Sequence, residues 1–118
     1  MLYVKPGVQF DLIAPAGFVL LKAIQQASEL LLTDLTITSA TDGIHTGPTD
    51  PHLRGEAYDV RTKDLTDQVK AKLEQLLAAL AGPQFYVLLE DLGGANEHLH
   101  CQLRKGLTYT DPVTLARV

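Results

Sequence analysis

The sequence predicts an α+β fold in which a small antiparallel sheet is backed by helices. Two segments carry apolar residues at the helical period, and four shorter segments have the alternation or the residue types of strands. They follow the order helix, strand, loop, strand, helix, strand, strand. Because only a short turn separates the last two strands, we expect them to pair antiparallel. The length suits one core, so residues 1–118 are expected to form a single domain.

The first half of the chain predicts a helix, a strand and a long loop. The period indicates a helix over residues 15–32, with Pro15 in its first turn. The alternation of apolar and hydroxyl side chains in Leu35–Ser39 predicts a strand with one buried face. Residues 40–51 are rich in Gly, Pro, Asp and Thr and predict a loop, and long structured loops in small domains often carry function.

The second half predicts a strand, a helix and a closing pair of strands. A short strand is expected at Ala57–Arg61 and a helix at residues 65–81, where a Gly-Pro pair stops it. The last two strands are expected at residues 84–89 and His98–Leu103, with a turn at residues 91–96 between them.

Composition and charge exclude several classes of protein. The net charge of -4 and the lack of a basic cluster argue against nucleic-acid binding. The longest apolar run is too short to span a bilayer, and the N-terminus lacks a secretory signal, so we expect a protein that is cytoplasmic as synthesised. We also expect a monomer. The single cysteine, Cys101, excludes an intrachain disulfide and is expected in the core.

Histidines and an aspartate cluster in two segments that the fold would bring together. His52 and Asp59 lie in "HLRGEAYD", and His98 and His100 lie in "NEHLHCQL". Side chains alternate along a strand, so His98 and His100 share one face, and a neighbouring strand would direct Asp59 towards them. Two imidazoles and one carboxylate form a three-ligand set for catalytic Zn²⁺ that leaves one position to water. The sequence therefore predicts a zinc site.

Glu97 is the predicted catalytic base of this site. A carboxylate beside the metal can take a proton from water and pass it to the leaving amine. On a regular strand, Glu97 and His100 would face opposite ways. The role therefore requires Glu97 to lie in an irregular strand start, after Gly93 and Gly94.

The two segments resemble motifs of the D-Ala-D-Ala metallopeptidases and the related L-Ala-D-Glu endopeptidases of bacteria and phages. "HLRGEAYD" is similar to the HxxGxAxD motif of that family, and "EHLH" is similar to its ExxH motif. The match runs from Ile37 to Leu103 in the expected order. The resemblance implies the hedgehog/DD-peptidase fold and the cleavage of short peptides that contain D-amino acids, chiefly in peptidoglycan.

The resemblance also implies a role for each motif residue. His52, Asp59 and His100 correspond to the zinc ligands, and Glu97 corresponds to the catalytic base. His98 corresponds to the first histidine of the HxH found in related murein metallopeptidases, which lies in the active site without being a ligand. We expect His98 to steady the oxyanion that develops in the reaction.

The stretch ahead of the first predicted ligand departs from the family pattern. The family usually has Ser-Gly-Tyr-Arg there, whose arginine helps to hold the substrate, whereas this chain has "SATDGIH", and Asp50 stands where a serine is usual. Arg61 and His45 are the predicted substrate-binding residues, since an arginine can bind a carboxylate bidentately. Two alternatives stay open: Arg61 supports a ligand or is a plain surface charge, and His45 only orders the loop.

The leading hypothesis is a Zn²⁺-dependent metallopeptidase that hydrolyses a peptidoglycan-type peptide bond, as a carboxypeptidase or an endopeptidase. The small size and the absence of a wall-binding domain suit a phage or prophage product that acts on the cell wall after release. The alternative is a non-catalytic zinc-binding module of the same fold, favoured by the missing arginine and the acidic composition. A third hypothesis is a metal-dependent hydrolase of the same fold that acts on a non-murein amide.

Overall fold

The described part of the chain contains two helices and five strands. The structure, a computed structural model, describes residues 1–42 and 50–112. The first half contains strand β1 (Leu2–Val4), helix α1 (Pro15–Leu30), strand β2 (Leu35–Ser39) and strand β3 (Ala57–Arg61). The second half contains helix α2 (Asp67–Ala81), strand β4 (Phe85–Glu90) and strand β5 (His98–Leu103). The predicted order of elements is confirmed, with β1 added ahead of it.

The strands form one mixed sheet in the order β1-β2-β3-β5-β4. The pairs β2–β3, β3–β5 and β4–β5 are antiparallel, whereas β1 pairs with β2 in parallel. The prediction of a wholly antiparallel sheet is therefore wrong at β1. This strand has three residues, too few to show a period, and it is defined by the distant pairing of Leu2 with Leu35.

Local signals set the ends of the helices. Pro15 occupies the start of α1, where its missing N–H removes no intrahelical hydrogen bond. The helix ends at Leu30, two residues earlier than predicted, and Leu32 has a φ of 50°. Thr66 accepts a hydrogen bond from the Val69 N–H at 3.2 Å, so α2 begins at the residue after this cap. No helix in the described ranges is long and apolar enough to cross a membrane.

One core cluster joins both helices to one face of the sheet. It includes Leu20 and Ile24 of α1 and Leu73 and Leu77 of α2. The sheet contributes alternate residues to it, namely Leu35, Ile37, Tyr58, Val60, Phe85, Leu99, Cys101 and Leu103. Cys101 is fully buried, as predicted. Because side chains alternate along a strand, the residues between these core positions lie on the opposite face of the sheet.

Candidate metal centre

Three predicted ligands meet on the sheet face opposite the helices. His52, Asp59 and His100 each offer one ligand atom, and these atoms lie within 4.8 Å of one another. His100 Nδ1 is 2.8 Å from Asp59 Oδ1, and His52 Nε2 is 3.5 Å from the same oxygen. The three side chains are 12%, 19% and 12% exposed in the order His52, Asp59, His100. The group therefore lies in a partly sheltered position that solvent can still reach.

Strand pairing and one tight turn place these three side chains. Asp59 of β3 lies directly opposite His100 of β5 in an antiparallel register. His52 belongs to the turn before β3, where the Gly55 N–H donates to the His52 carbonyl oxygen at 3.1 Å. Gly55 has a φ of 70°, and a Cβ there would collide with the Leu12 carbonyl oxygen. Only glycine lets this turn lie so close to the segment that precedes α1.

Oxygen acceptors fix the orientation of both imidazoles. His52 Nδ1 lies 2.7 Å from the Ala40 carbonyl oxygen, and His100 Nε2 lies 2.7 Å from Gln102 Oε1. Since these oxygens only accept, the two ring nitrogens donate to them. His52 Nε2 and His100 Nδ1 are thereby directed towards Asp59. Metal-binding histidines almost always have their second ring nitrogen held in this way.

Asp59 dominates the electrostatics of the group. Burial alone would lower the pKa of His52 and of His100, but hydrogen bonding to Asp59 and its negative charge outweigh burial and raise both. Burial alone would raise the pKa of Asp59, but the hydrogen bonds from His100 and His52 outweigh it and hold that pKa well below its ordinary value. The group therefore presents an ionised carboxylate between two imidazoles that gain a positive charge readily.

The donor set fits a divalent transition-metal ion. Ligands at about 2.0–2.2 Å from a tetrahedral Zn²⁺ lie about 3.3–3.6 Å from each other. The 3.5 Å between His52 Nε2 and Asp59 Oδ1 matches that separation, and the 2.8 Å between His100 Nδ1 and Asp59 Oδ1 is a hydrogen-bond distance. The second distance is about 0.5 Å shorter than that separation. Two nitrogens and one oxygen suit zinc better than calcium or magnesium.

A second group of possible ligands adjoins the first and shares His100. Glu90, His98 and His100 also offer three atoms within 4.8 Å of one another. His98 Nε2 lies 3.0 Å from Glu90 Oε1 and 3.7 Å from Asp59 Oδ1, while His98 Nδ1 lies 2.6 Å from the Asn96 carbonyl oxygen. Glu90 was not among the predicted site residues, because β4 was expected to end at residue 89. The last two strands were expected to pair antiparallel, and in that pairing Glu90 lies opposite His98. Extending β4 by one residue would therefore have identified Glu90.

Glu97 belongs to neither group of possible ligands. Its Oε1 is 2.7 Å from Lys70 Nζ and accepts from Thr62 Oγ1 at 2.8 Å, and its Oε2 accepts from the Gly93 N–H at 2.9 Å. The bond from Lys70, followed by those from Gly93 and Thr62, lowers the pKa of Glu97 to about 2. Its side chain is 4% exposed. The structure places the carboxylate against α2, and its role as catalytic base stays a prediction.

Of the two predicted substrate-binding residues, only Arg61 lies in the part of the chain that the structure describes. Arg61 is half-buried on β3, directly opposite His98, and lines a cavity that also reaches Asp59. This position is suited to contact a ligand beside the metal group. His45 lies outside the described residues.

Comparisons with known proteins identified no related protein. No protein-family model matches the chain, and searches of curated proteins and of solved structures found no significant similarity. Any functional conclusion therefore rests on the motif residues and on the geometry of the two groups.

Proposed function

We propose that this protein is a Zn²⁺-dependent metallopeptidase of the hedgehog/DD-peptidase type that hydrolyses a peptidoglycan-type peptide bond. One observation carries the proposal. Each of two imidazoles has one nitrogen held by an oxygen acceptor and directs the other towards the same Asp59 oxygen. Lone pairs that face a carboxylate repel it unless protons or a cation lie between them. A divalent cation satisfies all three groups at once.

His52, Asp59 and His100 would hold the ion in this proposal. When bound, Zn²⁺ would supply Lewis-acid activation of water and of the scissile carbonyl. Three protein ligands leave one coordination position for that chemistry. The partial exposure of the ligands gives a substrate access to this position.

His98 is the chain's own catalytic group in the proposal. The Asn96 carbonyl oxygen holds its Nδ1, and Glu90 faces its Nε2 on the side of the sheet that carries the metal group. Glu90 could take one proton from the attacking water, an Nε2–H of His98 could hydrogen-bond the developing oxyanion, and the proton taken from water could pass through this pair to the leaving amine. In the net reaction, water adds its oxygen to the carbonyl carbon, the C–N bond breaks, and the amine gains a proton.

The proposal assigns proton transfer to the His98–Glu90 pair because Glu97 is held elsewhere. The Glu97 carboxylate already binds one ammonium, one hydroxyl and one backbone N–H. To act at the metal group it would have to leave these three partners. Glu90 is 42% exposed in its side chain and has His98 as its partner, so it meets no such obstacle.

The test is hydrolysis of muropeptides by the zinc-loaded protein. We expect cleavage that stops after chelation, returns with added Zn²⁺ and is lost in Asp59→Asn. Asp64→Asn, a substitution at an exposed site, is the matched control and should retain activity. Cleavage that survives both chelation and Asp59→Asn would exclude the proposed enzymology.

The second candidate function is a non-catalytic zinc-binding module of the same fold. The position of Glu97 favours it, since the residue that the motif predicts as catalytic base is bound to Lys70. Under this alternative, the protein binds Zn²⁺ through the same three ligands and cleaves no wall peptide. The muropeptide assay with metal analysis of the same sample separates the two functions.

A further inference from the structure

Three imidazole nitrogens surround one carboxylate oxygen of Asp59. This oxygen, Oδ1, is 2.8 Å from His100 Nδ1, 3.5 Å from His52 Nε2 and 3.7 Å from His98 Nε2. The first two nitrogens belong to the candidate metal centre, whereas His98 Nε2 also lies 3.0 Å from Glu90 Oε1. A tetrahedral ion that keeps one position for solvent takes three protein ligands. Two of these five side chains, His98 and Glu90, are therefore left over beside the ion.

His98 is oriented in the same way as the two histidines of the candidate metal centre. Its Nδ1 lies 2.6 Å from the Asn96 carbonyl oxygen, which only accepts, so Nδ1 carries the proton of the neutral ring. The other nitrogen, Nε2, then directs its lone pair towards the carboxylates of Glu90 and Asp59. Lone pairs that face carboxylates repel them unless a proton or a metal ion lies between them. One imidazole and two carboxylates are a donor set that suits a divalent transition-metal ion.

Asp59 is the side chain that can serve two ions at once. An imidazole nitrogen has one lone pair and binds one ion, so His100 stays with the first ion although it offers an atom within 4.8 Å of Glu90 and His98. A carboxylate has two oxygens and can bridge two ions about 3.5–4 Å apart. The strand register suits such a bridge, because Asp59 lies directly opposite His100 on the neighbouring strand. His98 lies two residues before His100 on the same face, with Glu90 opposite it on β4.

We propose that Glu90 and His98 form a second divalent-metal site, which Asp59 bridges to the first ion. Two features make it the weaker site. The side chains of its own two ligands are more exposed than those of the first group, 24% for His98 and 42% for Glu90. A second dication is also repelled by the first. The second site therefore fills only when the first is occupied and the metal is in excess.

Occupation of the second site by Zn²⁺ stops the reaction of the proposed function, on which this consequence rests. An ion on His98 Nε2 takes the place of the proton that would hydrogen-bond the oxyanion. The same ion occupies the Glu90 carboxylate, which would take a proton from water. The pair can transfer protons or hold an ion, but it cannot do both. The protein is thus active with one ion per chain and inhibited by excess zinc.

The test counts zinc ions per chain by equilibrium dialysis and titration calorimetry of the metal-free protein. We expect two ions, the second bound at least about 10-fold more weakly than the first. Glu90→Gln and His98→Gln should each lose the second ion and keep the first, so that zinc content at one equivalent is unchanged. Glu29→Gln, at an exposed site on α1, is the matched control and should bind two ions.

Cobalt tests the bridge, because two Co²⁺ ions that share a carboxylate are magnetically coupled. We expect the electron paramagnetic resonance signal per Co²⁺ to fall as the second equivalent is added to the unaltered protein. In Glu90→Gln the signal per bound ion should stay constant. A constant signal in the unaltered protein with two ions bound overturns the bridge through Asp59.

Three results of the zinc titrations overturn the inference: one ion per chain in the unaltered protein, retention of the second ion in both variants, or loss of both ions together in Glu90→Gln. Muropeptide turnover at rising zinc concentration is measured separately. Two ions without hydrolysis at any zinc concentration uphold the second site and contradict the peptidase. Hydrolysis by a protein that never binds more than one ion upholds the peptidase and contradicts the second site. Undiminished turnover with two ions bound contradicts the inhibition.

Discussion

Lys70 Nζ and Glu97 Oε1 lie 2.7 Å apart in an ion pair that joins α2 to the residue before β5. The lysine side chain is 11% exposed and the glutamate side chain 4%, so the contact is almost fully sheltered. Thr62 Oγ1 and the Gly93 N–H donate further hydrogen bonds to the same carboxylate. Residue 97 thus ties the helix layer to the start of the strand that carries His98 and His100.

Acid stability should report this ion pair. Glu97 has a pKa of about 2 in the folded protein against an ordinary 4.5, so its contribution is complete above pH 4.5 and is lost as the pH falls to about 2. We expect Lys70→Met to lower stability at neutral pH and to reduce its fall across that window. Urea unfolding at several pH values measures both effects. Lys72→Met is the matched control, and an unchanged pH slope in Lys70→Met would contradict the assignment.

Turnover should separate the two candidate carboxylates. We expect Glu90→Gln to reduce kcat about 10²–10⁴-fold with zinc content and Tm retained, because it removes the carboxylate charge that faces His98. Glu97→Gln should lower Tm, since it weakens the bond to Lys70, and should keep most of the turnover. Steady-state kinetics and thermal melts of both variants make the comparison. If Glu97→Gln instead abolishes turnover while zinc content is retained, Glu97 is the catalytic base.

Zinc binding should stabilise the folded protein through His52, Asp59 and His100. At a free zinc concentration 100-fold above Kd, the expected gain is about 2.7 kcal/mol. His52→Ala should abolish this gain, and His98→Ala should retain it, because His98 belongs only to the second group of possible ligands. Melts with and without Zn²⁺ measure it. The reverse pattern would assign the ion to Glu90, His98 and His100.

Zinc affinity should fall steeply as the medium becomes acidic. Asp59 raises the pKa of both His52 and His100, so protons compete with the metal over a wider range than at isolated histidines. Below these pKa values, each bound ion should release close to two protons from the imidazoles. Calorimetry in buffers of different ionisation enthalpy counts them. Release of one proton would show that only one of the two histidines binds, and release of none would show that neither does.

Gly55 should be sensitive to substitution in a way that another positive-φ glycine is not. Gly55→Ala combines an unfavourable φ with a collision against the Leu12 carbonyl oxygen, so we expect a loss of about 2–4 kcal/mol and weaker zinc binding through His52. Gly106 has a φ of 79° with open space around it, so Gly106→Ala should cost about 1 kcal/mol and leave zinc binding intact. Denaturation and zinc titration test both variants, and equal costs would contradict the close packing at Gly55.

Much of the fold was predictable because its signals are local. β2, β3 and β5 have the predicted bounds, and β3 and β5 pair so that Asp59 faces His100. β1 was not predictable, since its existence depends on pairing with a strand far along the chain. α2 begins two residues later than predicted because Thr66 caps it, and α1 ends two residues earlier than predicted, just before the positive φ of Leu32.

The part of the candidate site that comes from the two motifs was predictable. The part that depends on how helices and loops pack against the sheet was not. Strand alternation and pairing placed Asp59 beside His100, and the motif resemblance added His52 from the turn before β3. It could not identify Lys70 as the partner of Glu97, because that contact depends on how α2 packs against the sheet. The cavity beside Asp59 was not predictable from the sequence either, because Lys5 and Lys63 reach it from separate parts of the chain.

Strands β3 and β5 contribute side chains to the core on one face and to the candidate metal centre on the other. Asp59 lies between buried Tyr58 and Val60, and His100 lies between buried Leu99 and Cys101. A substitution that repacks the interior on one side of such a strand therefore displaces a coordinating atom on the other side. In this chain, the residues that stabilise the fold and the residues that would bind the ion are neighbours in the same two strands, so a change in one set constrains the other.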